Sequence, residues 1–276
     1  MKKGIVIESS KDYHESKEIL SKSILSNMSI CPQFFKYRLD NPKESDDLVF
    51  GAAFHKLVLE PQDFDKEFVV MPNFDRRTKQ GKSEYEKFIL ENVGKDIISL
   101  DQYETICGMR DSVMSNKLAV ALLNGNHEHS FYYVDEFTGV PCKVRPDCYR
   151  FADDILIIVD LKSCRSAMPK DFIKSVIDYF YDLQTAMYTD GASKTLNIPI
   201  EKIKFVFIVV EKTPPYLTAI YETTKTIYER GEALFREYVG TYKYCLETNN
   251  WYGINGYSYE PMLLGLPDWA TKNKGE

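Results

Sequence analysis

Residues 145–164 read RPDCYRFADDILIIVDLKSC, and this stretch decides the predicted fold. The run Ile155–Val159 is wholly apolar and rich in β-branched residues, which is typical of a buried strand. Two charged residues, Asp160 and Lys162, follow this run directly. Side chains at i and i+2 of a strand project from the same face, so these two groups should point the same way. A core strand that ends in an acid and a base on one face predicts a functional edge of a sheet.

A second acid, Asp147, follows Pro146 and precedes this strand by the length of a hairpin. If 140–149 and 154–162 pair, Asp147 can lie beside Asp160, although the sequence leaves the register open. Neighbouring carboxylates raise each other's pKa, and a divalent cation removes that conflict. Oxygen-rich sites suit Mg²⁺ or Mn²⁺, and a lysine beside such a cation could orient or deprotonate a water that attacks a phosphodiester. The alternative is a hairpin end with solvated charges, because the pattern D-x-K is common.

Composition and charge exclude several classes of protein. Of the 276 residues, 44% are hydrophobic and 28% are charged, which predicts one or two globular domains. No apolar run approaches the ~20 residues of a membrane helix, and the N-terminus shows no signal peptide, so we expect a cytoplasmic protein without a membrane partner. The net charge is -6, so any contact with nucleic acid would depend on a local basic patch or on bridging metal ions.

The cysteines argue against a metal cluster. None of the six, at positions 31, 107, 142, 148, 164 and 245, forms a C-x-x-C pair. In a chain of this size without a signal peptide, reduced thiols are expected. A zinc or iron–sulfur centre needs clustered ligands, and these spacings offer no cluster.

Hydrophobic periodicity predicts one domain, 1–276, that runs from helices to strands and back. In chain order the expected elements are helices over 19–37 (interrupted at Pro32), 48–61, 83–92 and 101–123, strands over 130–136, 140–149 and 154–162, a helix over 170–196, strands over 203–210 and 216–222, and a helix over 224–248. The first three strands should be consecutive and antiparallel. We therefore expect a helical part (about 1–125), a sheet-bearing core (about 126–222) and a C-terminal helix with a tail (223–276), of the α/β class bordering on α+β.

The pair Pro146-Asp147, followed by Asp160-Leu161-Lys162, resembles the signature of the PD-(D/E)xK nuclease superfamily. The resemblance implies a restriction-endonuclease-like core, in which a mixed central sheet with an antiparallel strand meander is flanked by helices. It also implies that Asp147, Asp160 and the backbone carbonyl of Leu161 bind a metal ion. Lys162 would serve the nucleophilic water.

Two helical patterns resemble the RecB-like branch of this superfamily. The element G-x-x-x-H, Gly51 to His55, implies that His55 lies at the metal site. The element Q-x-x-x-Y implies that Gln184 and Tyr188, which share one helix face, point toward the active site and DNA. Taken singly, these residues fit a packed histidine, a solvent-exposed glutamine and a core tyrosine. The implied cofactor is Mg²⁺, with Mn²⁺ as a substitute, for which a neutral imidazole is the better ligand.

A third pattern, Ser21-Lys22-Ser23 followed by Cys31-Pro32, resembles the element S-x-S-x-L…C-P of the same branch. In some relatives this cysteine is one of four iron–sulfur ligands, and the other three cluster near the C-terminus. Here only Cys245 lies in that region, so we expect no iron–sulfur cluster and interpret Cys31 as a packing residue.

Positive charge is concentrated in 71–85, a segment expected to be irregular, which carries Arg76, Arg77, Lys79 and Lys82. In an acidic protein this segment is the best candidate for contact with the DNA backbone, and Arg165 is a second. The alternative for both is an ordinary solvated surface. Glu128 could approach the metal, but an exposed carboxylate at a strand end is the simpler expectation.

Nearly the whole chain resembles the RecE-type nuclease domain of exodeoxyribonuclease VIII. The similar stretches are FGAAFHKLVLEP (50–61), TGVPCKVRPD (138–147), YFYDLQTAMYTDG (179–191) and LGLPDWA (264–270). The resemblance implies a 5′→3′ exonuclease that acts on double-stranded DNA ends and leaves 3′ single strands for a RecT-like annealing protein, in phage or prophage recombination. It further implies a homo-oligomeric ring, a trimer or tetramer. An endonuclease, a nuclease of opposite polarity and a non-catalytic DNA-binding module remain alternatives.

Overall fold

The chain folds around a five-stranded mixed sheet in a computed structural model that describes residues 2–42, 45–256, 258 and 260–267. The strands are β1 (Gly4–Val6), β2 (Phe68–Met71), β3 (Asp96–Ser99), β4 (Asn126–His127), β5 (Ser130–Val134), β6 (Pro141–Val144), β7 (Cys148–Ala152), β8 (Ile155–Cys164), β9 (Ile203–Glu211) and β10 (Thr218–Glu222). The helices are α1 (Ser10–Glu15), α2 (Lys22–Leu25), α3 (Pro32–Asp40), α4 (Asp46–Leu59), α5 (Phe64–Glu67), α6 (Lys79–Glu91), α7 (Leu100–Ser115), α8 (Lys117–Leu123), α9 (Pro169–Asp178), α10 (Tyr181–Leu196) and α11 (Lys225–Thr248).

The apolar run of the opening stretch forms β8, the central strand of the sheet. The strand order is β10-β9-β8-β7-β4, and β8 pairs in parallel with β9 and antiparallel with β7. Helices cover both faces of this sheet, because Leu156 and Ile158 join one hydrophobic cluster while Val159 and Leu161 join another. The predicted α/β class, with a mixed sheet flanked by helices, is confirmed.

The alternation along β8 also sets the direction of its terminal charges. Asp160 and Lys162 share the face of Leu156 and Ile158, whose cluster contains Leu183 and other residues of α10. Leu161 points into the opposite cluster with residues of α4 and α7, as the spacing predicts. The acid and the base therefore face α10, the helix that carries the Q-x-x-x-Y pattern.

The predicted strand over 140–149 is two strands in two different sheets. β6 belongs to a three-stranded sheet of order β1-β5-β6, whereas β7 belongs to the five-stranded sheet. Residues 145–147 join them, and Pro146 has no N–H to continue a ladder, so β6 ends before it. The antiparallel order of the predicted meander is present, but its strands are divided at the proline that precedes Asp147.

Two predicted helices are also divided. The stretch 170–196 breaks at Phe180, which has a φ of 56° and lies in the left-handed region between α9 and α10. The stretch 101–123 breaks at Asn116, whose side chain accepts hydrogen bonds from the first backbone N–H groups of α8. Periodicity missed both breaks because the apolar positions continue across them. The predicted break at Pro32 is confirmed, since α3 begins there.

The C-terminal part is described only up to Pro267. Residues 264–267 of the LGLPDWA stretch are exposed and form neither helix nor strand, and 268–270 lie outside the described residues. Among the described residues, no helix combines the length and the apolar character needed to cross a membrane.

Helices α10 and α11 approach each other closely at Gly231. A Cβ atom at this position would lie 1.9 Å from the backbone carbonyl oxygen of Asp182 and 2.4 Å from its carbon. The buried Asp182 carboxylate in turn pairs with Arg230 of α11. On the next turns of α10, Asp190 accepts a hydrogen bond of 2.7 Å from the Tyr228 hydroxyl. These contacts fix α10, and with it Gln184 and Tyr188, against the sheet.

Replacing Gly231 with alanine should lower the free energy of unfolding by about 2 kcal/mol, since a methyl group there would overlap backbone atoms. The matched control is Gly240→Ala on the same helix, where a Cβ atom would meet nothing within 4 Å. That change should stabilise the protein by about 0.5–1 kcal/mol through helix propensity. Urea denaturation followed by circular dichroism measures both. Equal stabilisation of the two variants would contradict the close approach.

Candidate active site

A cleft of about 410 Å³ opens where β8 ends, between the sheet, α4 and α10. It gathers side chains that are far apart in sequence. Those that bear on chemistry are Lys22, His55, Glu128, Arg145, Asp147, Lys162, Tyr181, Gln184 and Tyr188. Asp160 lies beneath the cleft floor with 1% of its surface exposed.

The two predicted carboxylates are neighbours. The β7–β8 ladder pairs Cys148 with Val159, and this register places Asp147 opposite Asp160. Asp147 Oδ2 accepts a hydrogen bond of 2.6 Å from the backbone N–H of Leu161, which pins the Pro-Asp turn to the end of β8. Burial raises the pKa of Asp147, but the adjacent His55 outweighs it and holds that pKa below its usual value.

Asp160 is held from two sides. Gln184 Nε2 donates a hydrogen bond to Oδ1, and Lys162 Nζ lies 2.5 Å from Oδ2. The Oδ2 atom is buried and makes no hydrogen bond of good geometry among the described residues, so its charge is met only by the ionic contact. Burial raises the pKa of Asp160, and the Asp147 carboxylate adds to the rise. The Asp160 carboxylate favours the ammonium form of Lys162 and therefore raises the pKa of Lys162 despite its burial.

His55, Glu128 and Asp147 form a compact group of potential metal ligands. One ligand atom from each lies within 4.8 Å of the other two, and His55 Nδ1 is 3.3 Å from Asp147 Oδ1. Leu48, Gly51, Ala52 and His55 line the cleft along one face of α4. Gly51 and Ala52 add little side-chain volume to that face of the helix. Carboxylate oxygens with one imidazole nitrogen are donors that suit a hard divalent cation.

Glu128 is not the exposed strand-end carboxylate that we expected. Its side chain is 21% exposed, and its oxygen lies 2.7 Å from Arg145 Nε. Its backbone has a φ of 55° and its N–H donates to the carbonyl of Asp147, so the turn between β4 and β5 is bound to the Pro-Asp turn. Burial and the Asp147 charge raise the pKa of Glu128 to about 7.

The donor set fits a divalent cation. Glu128 and Asp160 have raised pKa values, and Asp160 Oδ2 is buried with no hydrogen bond from any described residue. A bound cation would offset the repulsion between these buried carboxylates. Of the predicted ligands, His55 and Asp147 fall within the three-residue group, whereas Asp160 directs its oxygens to Gln184 and Lys162.

Gln184 and Tyr188 both line the cleft, as their spacing on one face of α10 predicts. Gln184 is buried, so the alternative of a solvent-exposed glutamine is wrong. Tyr188 also packs against Phe205, with ring centroids 6.0 Å apart, and burial raises its pKa well above the usual value. Its ring therefore belongs partly to the core.

The basic residues predicted to contact DNA lie outside the cleft lining. Arg77 is almost fully exposed and pairs with Asp75, and Arg76 stacks over Tyr85 at 4.9 Å. The expectation of an irregular segment over 71–85 is wrong beyond Thr78, which caps α6, so Lys79 and Lys82 lie on a helix. Arg165 is exposed just after β8.

Besides Lys162, which the sequence predicted, the cleft contains cations that sequence reasoning did not single out. Arg145 immediately precedes the Pro-Asp pair, and Lys22 lies within the S-x-S pattern, yet neither was singled out. The adjacency of Arg145 to Asp147 was a usable signal. The position of Lys22 follows only from the packing of α2 against α10.

Comparison with known proteins gives the family and the fold. Residues 21–256 match the family model described as "PDDEXK-like domain of unknown function (DUF3799)". A crystal structure from Eubacterium rectale, named "putative exonuclease", superposes with a TM-score of 0.59 and 17% identity over 86% of this chain and 88% of that chain. A second, SSO0001, has a TM-score of 0.29 and 14% identity over 69% of this chain and 85% of that chain, and no argument rests on it.

No curated protein matches the sequence. The family model spans most of the chain and includes every element that contributes to the cleft except α1. The Eubacterium rectale structure, at its low identity, supports the fold alone. The fold and the paired acids agree with this family match, and the chain belongs to the PDDEXK-like domain family DUF3799.

Proposed function

We propose that this protein is a metal-dependent nuclease that hydrolyses phosphodiester bonds of DNA. One observation carries the proposal: two buried carboxylates, Asp147 and Asp160, lie side by side with Lys162 against Asp160, at the edge of an open cleft. A purely structural hairpin end would leave these charges in solvent, because burial of unpaired carboxylates is costly.

The residues divide into two roles. His55, Glu128, Asp147, Asp160 and the carbonyl of Leu161 would hold the cation, for which we propose Mg²⁺ with Mn²⁺ as a substitute. When bound, the cation supplies positive charge that favours ionisation of water and stabilises the attacked phosphate. Lys162 orients the attacking water from its place beside Asp160, and Gln184 holds the Asp160 carboxylate in one orientation. Tyr188 shapes the wall of the cleft that faces the substrate.

The finer proposal is a 5′→3′ exonuclease that acts on ends of double-stranded DNA. It rests on the resemblance of four stretches to the RecE-type nuclease domain, and it extends to a ring-shaped trimer or tetramer and a RecT-like annealing partner in the cytoplasm. The chain would act as one domain, with Arg76, Arg77, Lys79, Lys82 and Arg165 contacting the DNA backbone. An endonuclease built on the same site is the alternative.

Replacing Asp160 or Lys162 with alanine should lower the rate of DNA hydrolysis by about 10³-fold or more, since the first change removes a proposed ligand of the cation and the second removes the group that orients the attacking water. Asp154→Ala and Lys204→Ala are matched controls, because within the described part of the chain these exposed residues pair only with Lys202 and Glu222, respectively. Digestion of linear duplex DNA with Mg²⁺ measures the rate. An Asp160→Ala protein that digests DNA like the wild type would refute the assignment.

Digestion of end-labelled duplex DNA identifies which strand end the protein attacks. A duplex labelled at its 5′ end should lose that label first, while the same duplex labelled at its 3′ end should retain it until late. Closed circular DNA should survive, since it has no end. Cleavage of circles would favour the endonuclease alternative, and early loss of the 3′ label would favour the opposite polarity.

Binding of Mn²⁺ or Mg²⁺ should raise the melting temperature of the wild-type protein above its value in EDTA. Saturation to about 100 times the dissociation constant adds roughly 2.7 kcal/mol, which corresponds to several degrees. Asp147→Asn should abolish this shift, whereas Asp154→Asn, on an exposed turn, should keep it. Differential scanning fluorimetry measures all three proteins. An unchanged shift in Asp147→Asn would place the cation elsewhere.

A further inference from the structure

Lys22 differs from the other lysines that line the cleft in having no carboxylate partner among the described residues. Lys56 contacts Glu60 and Glu67 at 2.7 and 2.8 Å, and Lys162 contacts Asp160 at 2.5 Å. Lys22 Nζ instead donates a hydrogen bond of 2.6 Å to a backbone carbonyl, that of Tyr179. Its positive charge therefore remains available to a group that enters the cleft.

The carbonyl that holds Lys22 is presented by the break between α9 and α10. Tyr179 directly follows α9, and Phe180 adopts its left-handed conformation immediately afterwards. The bond orients the ammonium group, and the Tyr181 ring lies beneath it, with its centroid 5.2 Å from Lys22 Nζ. Lys162 Nζ lies 4.9 Å from the same centroid, so the two ammonium nitrogens are within about 10 Å of each other. Both therefore border the space in which a phosphodiester would react.

The surroundings of Lys22 lower the pKa of its ammonium group. Burial and the like charge of Lys162 lower the pKa of Lys22 to about 7, while the Asp160 carboxylate opposes the shift. Of the residues that the structure describes, these two from β8 and Tyr181 are the charged or titratable groups that interact with Lys22. A group with a pKa near 7 can both carry and release a proton at neutral pH, which is the condition for effective general acid catalysis.

We propose that Lys22 is the general acid that protonates the leaving 3′-oxygen during cleavage of the DNA strand. This inference rests on the proposed nuclease function. The attacking water, oriented by Lys162, gives a proton to solvent as its oxygen bonds to phosphorus, and the bond between phosphorus and O3′ breaks with its electron pair passing to O3′. The Lys22 ammonium donates a proton to that oxygen, and the resulting amine regains a proton from solvent. The two lysines thus serve opposite ends of one displacement.

A sulfur substitution in the substrate tests this role. The substrates are two duplexes that differ only at the first linkage attacked, where one has the ordinary O3′ and the other has sulfur in its place. A thiolate is stable without a proton, so its departure needs no general acid. The variants are Lys22→Met and Lys22→Arg, and Lys117→Met, an exposed lysine on α8, is the control. Single-turnover rates are measured with saturating metal, and melting curves establish that each variant is folded.

Both Lys22 variants should lose about 10²-fold or more on the oxygen substrate and stay within about threefold of the wild type on the sulfur substrate. Arginine keeps the charge but does not release its proton at neutral pH, so it should fail like methionine. An equal loss on both substrates would overturn the proposal in favour of a structural role. Full activity of Lys22→Arg would overturn it in favour of simple phosphate binding. Failure of the wild type on both substrates would refute the nuclease function instead.

A second readout needs no turnover. Lysine side chains labelled with ¹³C by reductive methylation can be titrated by NMR, and the Lys22 signal is identified by its loss in Lys22→Arg. Its midpoint should fall near 7, as burial beside Lys162 requires. A Lys22 midpoint above 9 would overturn the proposal, because the ammonium group would then be a poor proton donor at neutral pH.

Discussion

The hydrogen bond from the Leu161 N–H to the Asp147 carboxylate is the contact on which the site depends. It joins the turn after Pro146 to the end of β8, and it forces two carboxylates into the same buried corner. Unpaired carboxylates buried in this way would destabilise the folded protein or become protonated. The remaining groups of the site, Lys162, Gln184 and His55, each neutralise or orient one of these two acids.

The rest of the fold supplies rigid supports for that corner. β8 is held on both edges by neighbouring strands and on both faces by hydrophobic clusters, so Asp160 and Lys162 start from a backbone that has little freedom. α10 is held by the close approach of α11 at Gly231, and Gln184 on this helix donates its hydrogen bond to Asp160. Precise placement of this kind is what chemistry on a phosphodiester requires.

The distribution of charge explains how an acidic protein could act on a polyanion. The acids at the corner are met by Lys162, Arg145 and His55, while Lys22 adds a charge that no described carboxylate neutralises. Lys162 and Lys22 both lie near the ring of Tyr181, and their different partners give them different pKa values. Local arrangement, rather than net charge, therefore determines the electrostatics of the cleft.

The sequence by itself determined the buried strand, the direction of its two terminal charges, the α/β class, and the shared face of Gln184 and Tyr188. These follow from periods of two and 3.6 residues, which are local properties of a chain. Only the tertiary structure decided that 140–149 divides between two sheets, that Glu128 joins His55 and Asp147, and that Lys22 lines the cleft with no carboxylate partner among the residues described. These features arise where distant segments meet, and the burial that gives those side chains their altered pKa values exists only after they have packed.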